Sequence, residues 1–126
     1  MHQHSSRVYA EDVDYMGIVY HANYLSFFER ARTEMLRDNN LILSNLLKQN
    51  TLFAIYDVNI RYQAPARLDD LLTIRSMVQA SGACSFLFYQ TMQNQQEKLL
   101  CEAKIKVVCV DSNMKPKRFP QWIKEI

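Results

Sequence analysis

The spacing of apolar residues changes once along this chain, and that change limits the folds open to it. Tyr24, Phe28, Ala31 and Met35 recur at helical intervals, with Ser26, Glu29, Arg30, Thr33 and Arg37 on the opposite side. From Phe53 onward the period moves towards two. Phe53 and Ile55, then Val58, Ile60 and Tyr62, alternate with a one-residue phase shift that predicts a bulge near Tyr56–Asp57. Three further alternating runs follow: Leu72 to Ala80, Phe86 to Met92, and Cys101 to Cys109. A helical stripe cannot serve as a strand, so one long helix must cover a meander of about four strands. The expectation is an α+β domain with an antiparallel sheet.

The connections fit that order. Ser5–Glu11 is short and β-prone, which predicts an entering strand. His2 and His4 before it are expected in a mobile terminus rather than at a metal site. The long helix should run from about His21–Asn23 to Asp38-Asn39-Asn40, whose residue types favour a turn and a C-cap. Leu41–Lys48 is a second, shorter helix candidate. Ser81-Gly82 and Asn94-Gln95-Gln96 end strands. A tight hairpin at Gln95–Glu97 would set Cys84 opposite Cys109. The last run keeps Glu102, Lys104 and Lys106 on the face away from Cys101, Ala103 and Ile105, a half-solvated pattern.

The chain has 126 residues, enough for one domain (1–126) with a real core. A net charge of +2 gives no footprint for nucleic acid. Three cysteines, Cys84, Cys101 and Cys109, lack metal-type spacing and an even disulfide count, which points to a reducing compartment. Neither an apolar signal region nor an 18-residue apolar run occurs, so no membrane span and a cytoplasmic location are expected.

Chemistry concentrates at the mouth of the long helix. Asp12 and Asp14 precede Gly17, and His21 and Asn23 follow it. Unpaired N–H groups and the positive dipole end gather at a helix start, where they polarise a carbonyl facing a carboxylate. Taken alone, Asp14 reads as an Asx-turn carboxylate that organises the loop. Gly17 fits either a positive φ or a close approach to a ligand. Tyr24 reads as core, Asp12 as a structural hydrogen-bond acceptor, and Glu29 as an interface or solvated residue. The cysteines read as buried packing residues. Arg67, Lys115, Lys117 and Arg118 are candidates for phosphate binding, set against a merely solvated basic loop.

Asp14-x-x-Gly17-x-Val19-x-His21-x-x-Tyr24 resembles the signature of the hotdog-fold acyl-CoA thioesterases of the 4-hydroxybenzoyl-CoA thioesterase family. The runs Tyr20–Tyr24 and Phe28–Leu36, with Arg61-Tyr62-x-x-Pro65-Ala66 and Met114-Lys115-Pro116, are most similar to its YbgC-like branch, which is associated with the Tol–Pal system. The resemblance spans the whole chain. It implies a hotdog fold, a sheet wrapped around the long central helix, assembled as a homodimer that is often doubled to a tetramer.

It also implies hydrolysis of an acyl-CoA to a carboxylic acid and free coenzyme A. Asp14 would be the nucleophile or the general base, and the His21 backbone N–H would polarise the thioester carbonyl. The basic residues would hold the coenzyme A phosphates. No metal or redox cofactor is implied, since coenzyme A belongs to the substrate. Two other readings stay open. One is a hotdog hydratase or dehydratase, although the hydratases compared have a shorter Asp-to-His interval than Asp14–His21. The other is a binding protein for an acyl carrier protein or the envelope machinery.

Overall fold

The computed structural model describes residues 1–119. The elements are β1 (His2–Arg7), a 3₁₀ turn (Ala10–Asp12), α1 (Asn23–Asp38), α2 (Leu43–Lys48), β2 (Leu52–Tyr62), β3 (Leu71–Ala80), β4 (Ser85–Gln93) and β5 (Leu99–Val110). The strands form one antiparallel sheet in the order β1-β3-β4-β5-β2. This is the expected α+β hotdog arrangement, with α1 laid on one face of the sheet.

In β3, β4 and β5 the period-two runs do what their alternation dictates. Leu72 and Ile74 on β3, Phe86, Phe88 and Met92 on β4, and Ala103 and Ile105 on β5 point into the core with Phe27, Phe28 and Ala31 of α1. Each of these side chains is almost fully buried. Truncating Phe28 to Ala would cost about 3–5 kcal/mol through lost burial and a residual cavity. The phase shift in β2 is real: the register with β5 slips between Ile55 and Asp57, leaving Tyr56 as the extra residue. The β4–β5 hairpin turns over Asn94–Lys98, and Cys109 N–H donates to Cys84 O at 2.6 Å.

The structure departs from the sequence expectations in two places. The first strand begins at His2 rather than near Ser5 and ends at Arg7. His2 and His4 therefore sit in an ordered edge strand, paired with Ser76 and Ile74, and His2 Nε2 lies 2.7 Å from Asp38 Oδ2. Inter-strand hydrogen bonding, not apolar burial, holds this polar segment. The second departure is a wider buried face on α1, which includes Phe27, Leu36 and the cation Arg32.

A short polar chain begins at Arg32. Its Nη1 donates to Gln90 Oε1 at 3.0 Å, while Gln90 Nε2 donates to Phe28 O at 3.0 Å and Ser76 Oγ at 2.9 Å. Those bonds tie α1 to β4 and β3 and fix the helix on the sheet. No helix among the described residues is long and apolar enough to cross a membrane.

Candidate active site

The segment before α1 is a miniature hairpin. Val13 bridges Val19, Asp14 N–H donates to Ile18 O at 3.0 Å, and Tyr20 N–H reaches Asp12 O at 3.4 Å. Its tip is the turn Asp14–Gly17, closed by Gly17 N–H to Asp14 O at 3.0 Å. Asp14 Oδ1 accepts the Met16 N–H at 2.8 Å, an Asx-turn contact. Asp14 Oδ2 has no hydrogen-bond partner among the described residues, and the side chain is half-buried. The turn that organises the loop therefore uses one carboxylate oxygen and leaves the other free.

Gly17 has φ +76, which a side chain would strain, and an added Cβ would meet nothing within 4 Å. Conformation rather than crowding demands glycine here, and the space over it is open. Behind the turn, Ile18 bridges Arg67, Val19 N–H donates to Ala66 O at 2.9 Å, and Leu68 N–H donates to Gly17 O at 3.1 Å. This staple holds the exposed Arg67 beside the Asp14 turn.

Asp12 is buried and structural. Its Oδ2 accepts Tyr9 N–H at 2.8 Å, and its carbonyl accepts Asn23 Nδ2 at 3.1 Å. Asn23 thereby fastens the first residue of α1 to the hairpin. No side chain caps α1, and its first turn has no acidic residue. The N–H groups of His21 and Ala22 donate to nothing among the described residues. The positive end of the helix is thus met by no acidic side chain of its own first turn.

Two tyrosines support this end, and sequence reading assigned neither a role there. Tyr62 Oη donates to His21 O at 2.8 Å, and its ring meets the Tyr24 ring edge-on at 5.1 Å. Tyr24 Oη accepts Ala66 N–H at 2.9 Å, so this core residue is also a hydrogen-bond anchor. Burial pushes its phenol above the usual range. The His21 ring is exposed and lies against Tyr20, with centroids 4.4 Å apart. The alternation of β2 and the Arg61-Tyr62-x-x-Pro65-Ala66 segment both include Tyr62, and neither gives this contact.

The basic residues do not form one cluster. Arg67 lies beside the Asp14 turn, whereas Val110 bridges Pro116 and Lys117 N–H donates to Cys109 O at 2.8 Å. Phe53 pairs with Cys109 and Tyr62 with Cys101. The eight steps of β5 from Cys109 to Cys101 span roughly 26 Å, so Lys115, Lys117 and Arg118 sit at the far end of the sheet from His21.

Lys117 is moreover committed. Its Nζ donates to Gln49 O, Asn50 O and Thr51 Oγ1 at 3.0–3.1 Å and caps the end of α2. Lys115 and Arg118 are exposed. Pro120, the last residue of this basic stretch, lies outside the described residues.

Glu29 is exposed on α1, and the three cysteines are unbridged. Burial pushes the Cys101 thiol up to about 12 and raises Cys109, so both are poor nucleophiles.

Comparison with known proteins adds four findings. The model of the thioesterase-like superfamily matches residues 8–126. The acyl-CoA thioester hydrolase YbgC of Escherichia coli O6:H1 is 44% identical over 118 residues, 93% of this chain and 88% of that protein. The acyl-CoA thioesterase YbgC of Haemophilus influenzae is 44% identical over 120 residues, covering 94% and 88%. Among solved structures, a probable thioesterase from Bartonella henselae superposes with a TM-score of 0.88 at 35% identity, covering 94% of this chain and 98% of that one.

Proposed function

Because the chain belongs to the thioesterase-like superfamily, we propose that it hydrolyses acyl-CoA thioesters with the Asp14 turn and the start of α1 as its catalytic apparatus. The activity is that of an acyl-CoA thioesterase: an acyl-CoA and water give a carboxylic acid and free coenzyme A. One observation carries the assignment of the site. The free Asp14 Oδ2 and the undonated N–H groups of His21 and Ala22 flank one short hairpin. Asp14 lies opposite Ile18, three residues before His21, so their backbones stand on the order of 10 Å apart or less. A carboxylate side chain, a water and a carbonyl fill such a gap.

In this reading the thioester oxygen accepts the His21 N–H, and charge that develops on it is met by the helix end. Asp14 takes a proton from water, whose oxygen adds to the carbonyl carbon. Collapse of the adduct breaks the C–S bond and expels the coenzyme A thiolate, which takes up a proton. The alternative course, attack by Asp14 itself to give an anhydride that water then opens, starts from the same oxygen. Neither course needs a metal or a redox cofactor. The long Asp14–His21 interval supports thioester cleavage over hydration or dehydration of an enoyl group.

The outer edge of β2 supports a homodimer as the working unit, with a tetramer as its doubling. This strand is 11 residues long and exposes Ile55, Tyr56, Val58 and Tyr62. An edge of that length and character calls for a partner. Antiparallel pairing of two β2 strands brings the Leu52 end of one next to the Tyr62 end of the other. Lys115 and Arg118 of one copy then approach the Arg67 side of the second copy's site, where coenzyme A phosphates would lie. Without pairing they are too far away.

Cysteine usage supports a cytoplasmic enzyme, and an acyl carrier protein is a further thioester donor of suitable chemistry. The test is release of free thiol from a panel of acyl-CoA substrates alongside an enoyl-CoA hydration assay. Thiol release without hydration supports the reading; hydration without thiol release refutes it.

A further inference from the structure

A cavity of about 290 Å³ opens between α1, α2 and the first half of β2. Leu36, Leu43, Leu47, Phe53, Ile55 and Phe88 give it apolar walls. Arg32 also lines it, yet that residue is only 7% exposed. Its guanidinium has one hydrogen bond, to Gln90, and stands 5.8 Å over the Phe88 ring. Among the described residues no carboxylate lies within ion-pair distance of it. Burial pushes the guanidinium down to about 10, and Glu29, exposed on the same wall, acts on it through space in the opposite direction.

A cation removed from water without a counter-ion is costly, and an anion at that point repays it. Apolar walls around a single buried cation describe a receptor for an amphiphile with one negative end. We propose that this cavity binds a free aliphatic carboxylate of medium length, its chain among Leu36, Leu43 and Leu47 and its carboxylate on Arg32. A cavity of ~150 Å³ holds one benzene, so 290 Å³ takes roughly a dozen heavy atoms, the size class of octanoate.

The cavity is not the Asp14 site: no residue of the hairpin lines it, and Arg32 lies about 14 Å along α1 from Asn23. Acyl-CoA hydrolysis releases acids of this class, so the site would let product accumulate on the enzyme and restrain turnover. Only that consequence rests on the proposed function; the binding does not.

Isothermal titration of octanoate and of octan-1-ol into the full chain, without any acyl-CoA, tests the assignment. The wild-type protein should bind octanoate at least about tenfold more tightly than the alcohol. Arg32→Met, which keeps an unbranched apolar stem and removes the charge, should abolish that preference and keep alcohol binding. Glu29→Gln, at an exposed position that does not test the fold, should tighten octanoate a few-fold by removing a like charge.

Equal wild-type affinities, no binding of either ligand, or a preference that survives Arg32→Met overturns the proposal. So does octanoate affinity that stays level or falls in Glu29→Gln, even if Arg32→Met does not fold. Absence of thioesterase turnover would leave these readings intact, which separates the two claims.

Discussion

The Tyr62 hydroxyl donates to the main-chain carbonyl of His21 at 2.8 Å and so joins the end of the sheet's outer strand to the start of the central helix. That carbonyl shares its peptide with the free Ala22 N–H, and the preceding peptide carries the free His21 N–H. Tyr62 therefore positions the donor that would face the thioester oxygen.

Replacing Tyr62 by Phe removes that bond and keeps the ring against Tyr24. Stability should fall by about 0.5–1.5 kcal/mol, the net worth of one ordinary hydrogen bond. If the peptide must be held for catalysis, kcat should fall several-fold with KM little changed. A loss confined to Tm would assign Tyr62 to structure alone.

Lys117 and Arg67 should part company. Lys117→Met loses three hydrogen bonds at the end of α2 and should lower Tm, by about 1–3 kcal/mol of stability, with little change in KM. Arg67→Ala should raise KM for an acyl-CoA and leave an acyl pantetheine nearly unaffected. Equal effects of Arg67→Ala on both substrates would contradict a phosphate contact.

Assembly is testable at β2. Ile55→Lys together with Val58→Glu puts charge on the exposed outer strand while the core stays intact. Sedimentation equilibrium should show the wild type as a dimer or tetramer of the 14.8 kDa chain and the double variant as a monomer. A wild-type protein that stays monomeric at micromolar concentration would refute the pairing.

Alkaline conditions should unfold the protein early. Burial raises the Cys101 thiol from 9.0 to about 12, and Tyr24 and Tyr62 shift upward from 10.0 for the same reason. The native state holds those protons more tightly than the unfolded chain. Their contribution is therefore fully present below about pH 9 and lost as pH rises towards 12. Arg32, lowered from 12.5 to about 10, acts with the opposite sign but only above pH 10. Tm should be flat to about pH 9 and then decline, less steeply in Cys101→Val. A Tm that climbs between pH 9 and 10 would contradict the thiol's burial.

The legible parts of this fold are those where burial writes a period into the sequence. The alternation of β4 and β5 and one turn were enough to set Cys84 against Cys109, and the phase shift in β2 announced the bulge at Tyr56. The motif around Asp14 was legible for the same local reason, since its turn, glycine and helix start are contiguous. Strand β1 was misjudged because His2–Arg7 is polar and held by pairing with β3.

The burial of Arg32 has no local signal, because its partner Gln90 comes from β4, 58 residues later. Lys117 looked free because its acceptors lie at the end of α2, 66 to 68 residues earlier. Contacts of that range leave no local pattern.

Turnover by Asp14→Asn tests the central claim most directly. The change keeps the side chain's size and an oxygen for the Met16 N–H, and removes the charge and the free basic oxygen. kcat for acyl-CoA hydrolysis should fall by roughly 10²–10⁴, with KM, Tm and assembly near wild type. Asp12→Asn, at a buried carboxylate whose bonds are structural, should affect Tm more than kcat. An Asp14→Asn protein that folds, assembles and turns over at close to the wild-type rate would contradict the account.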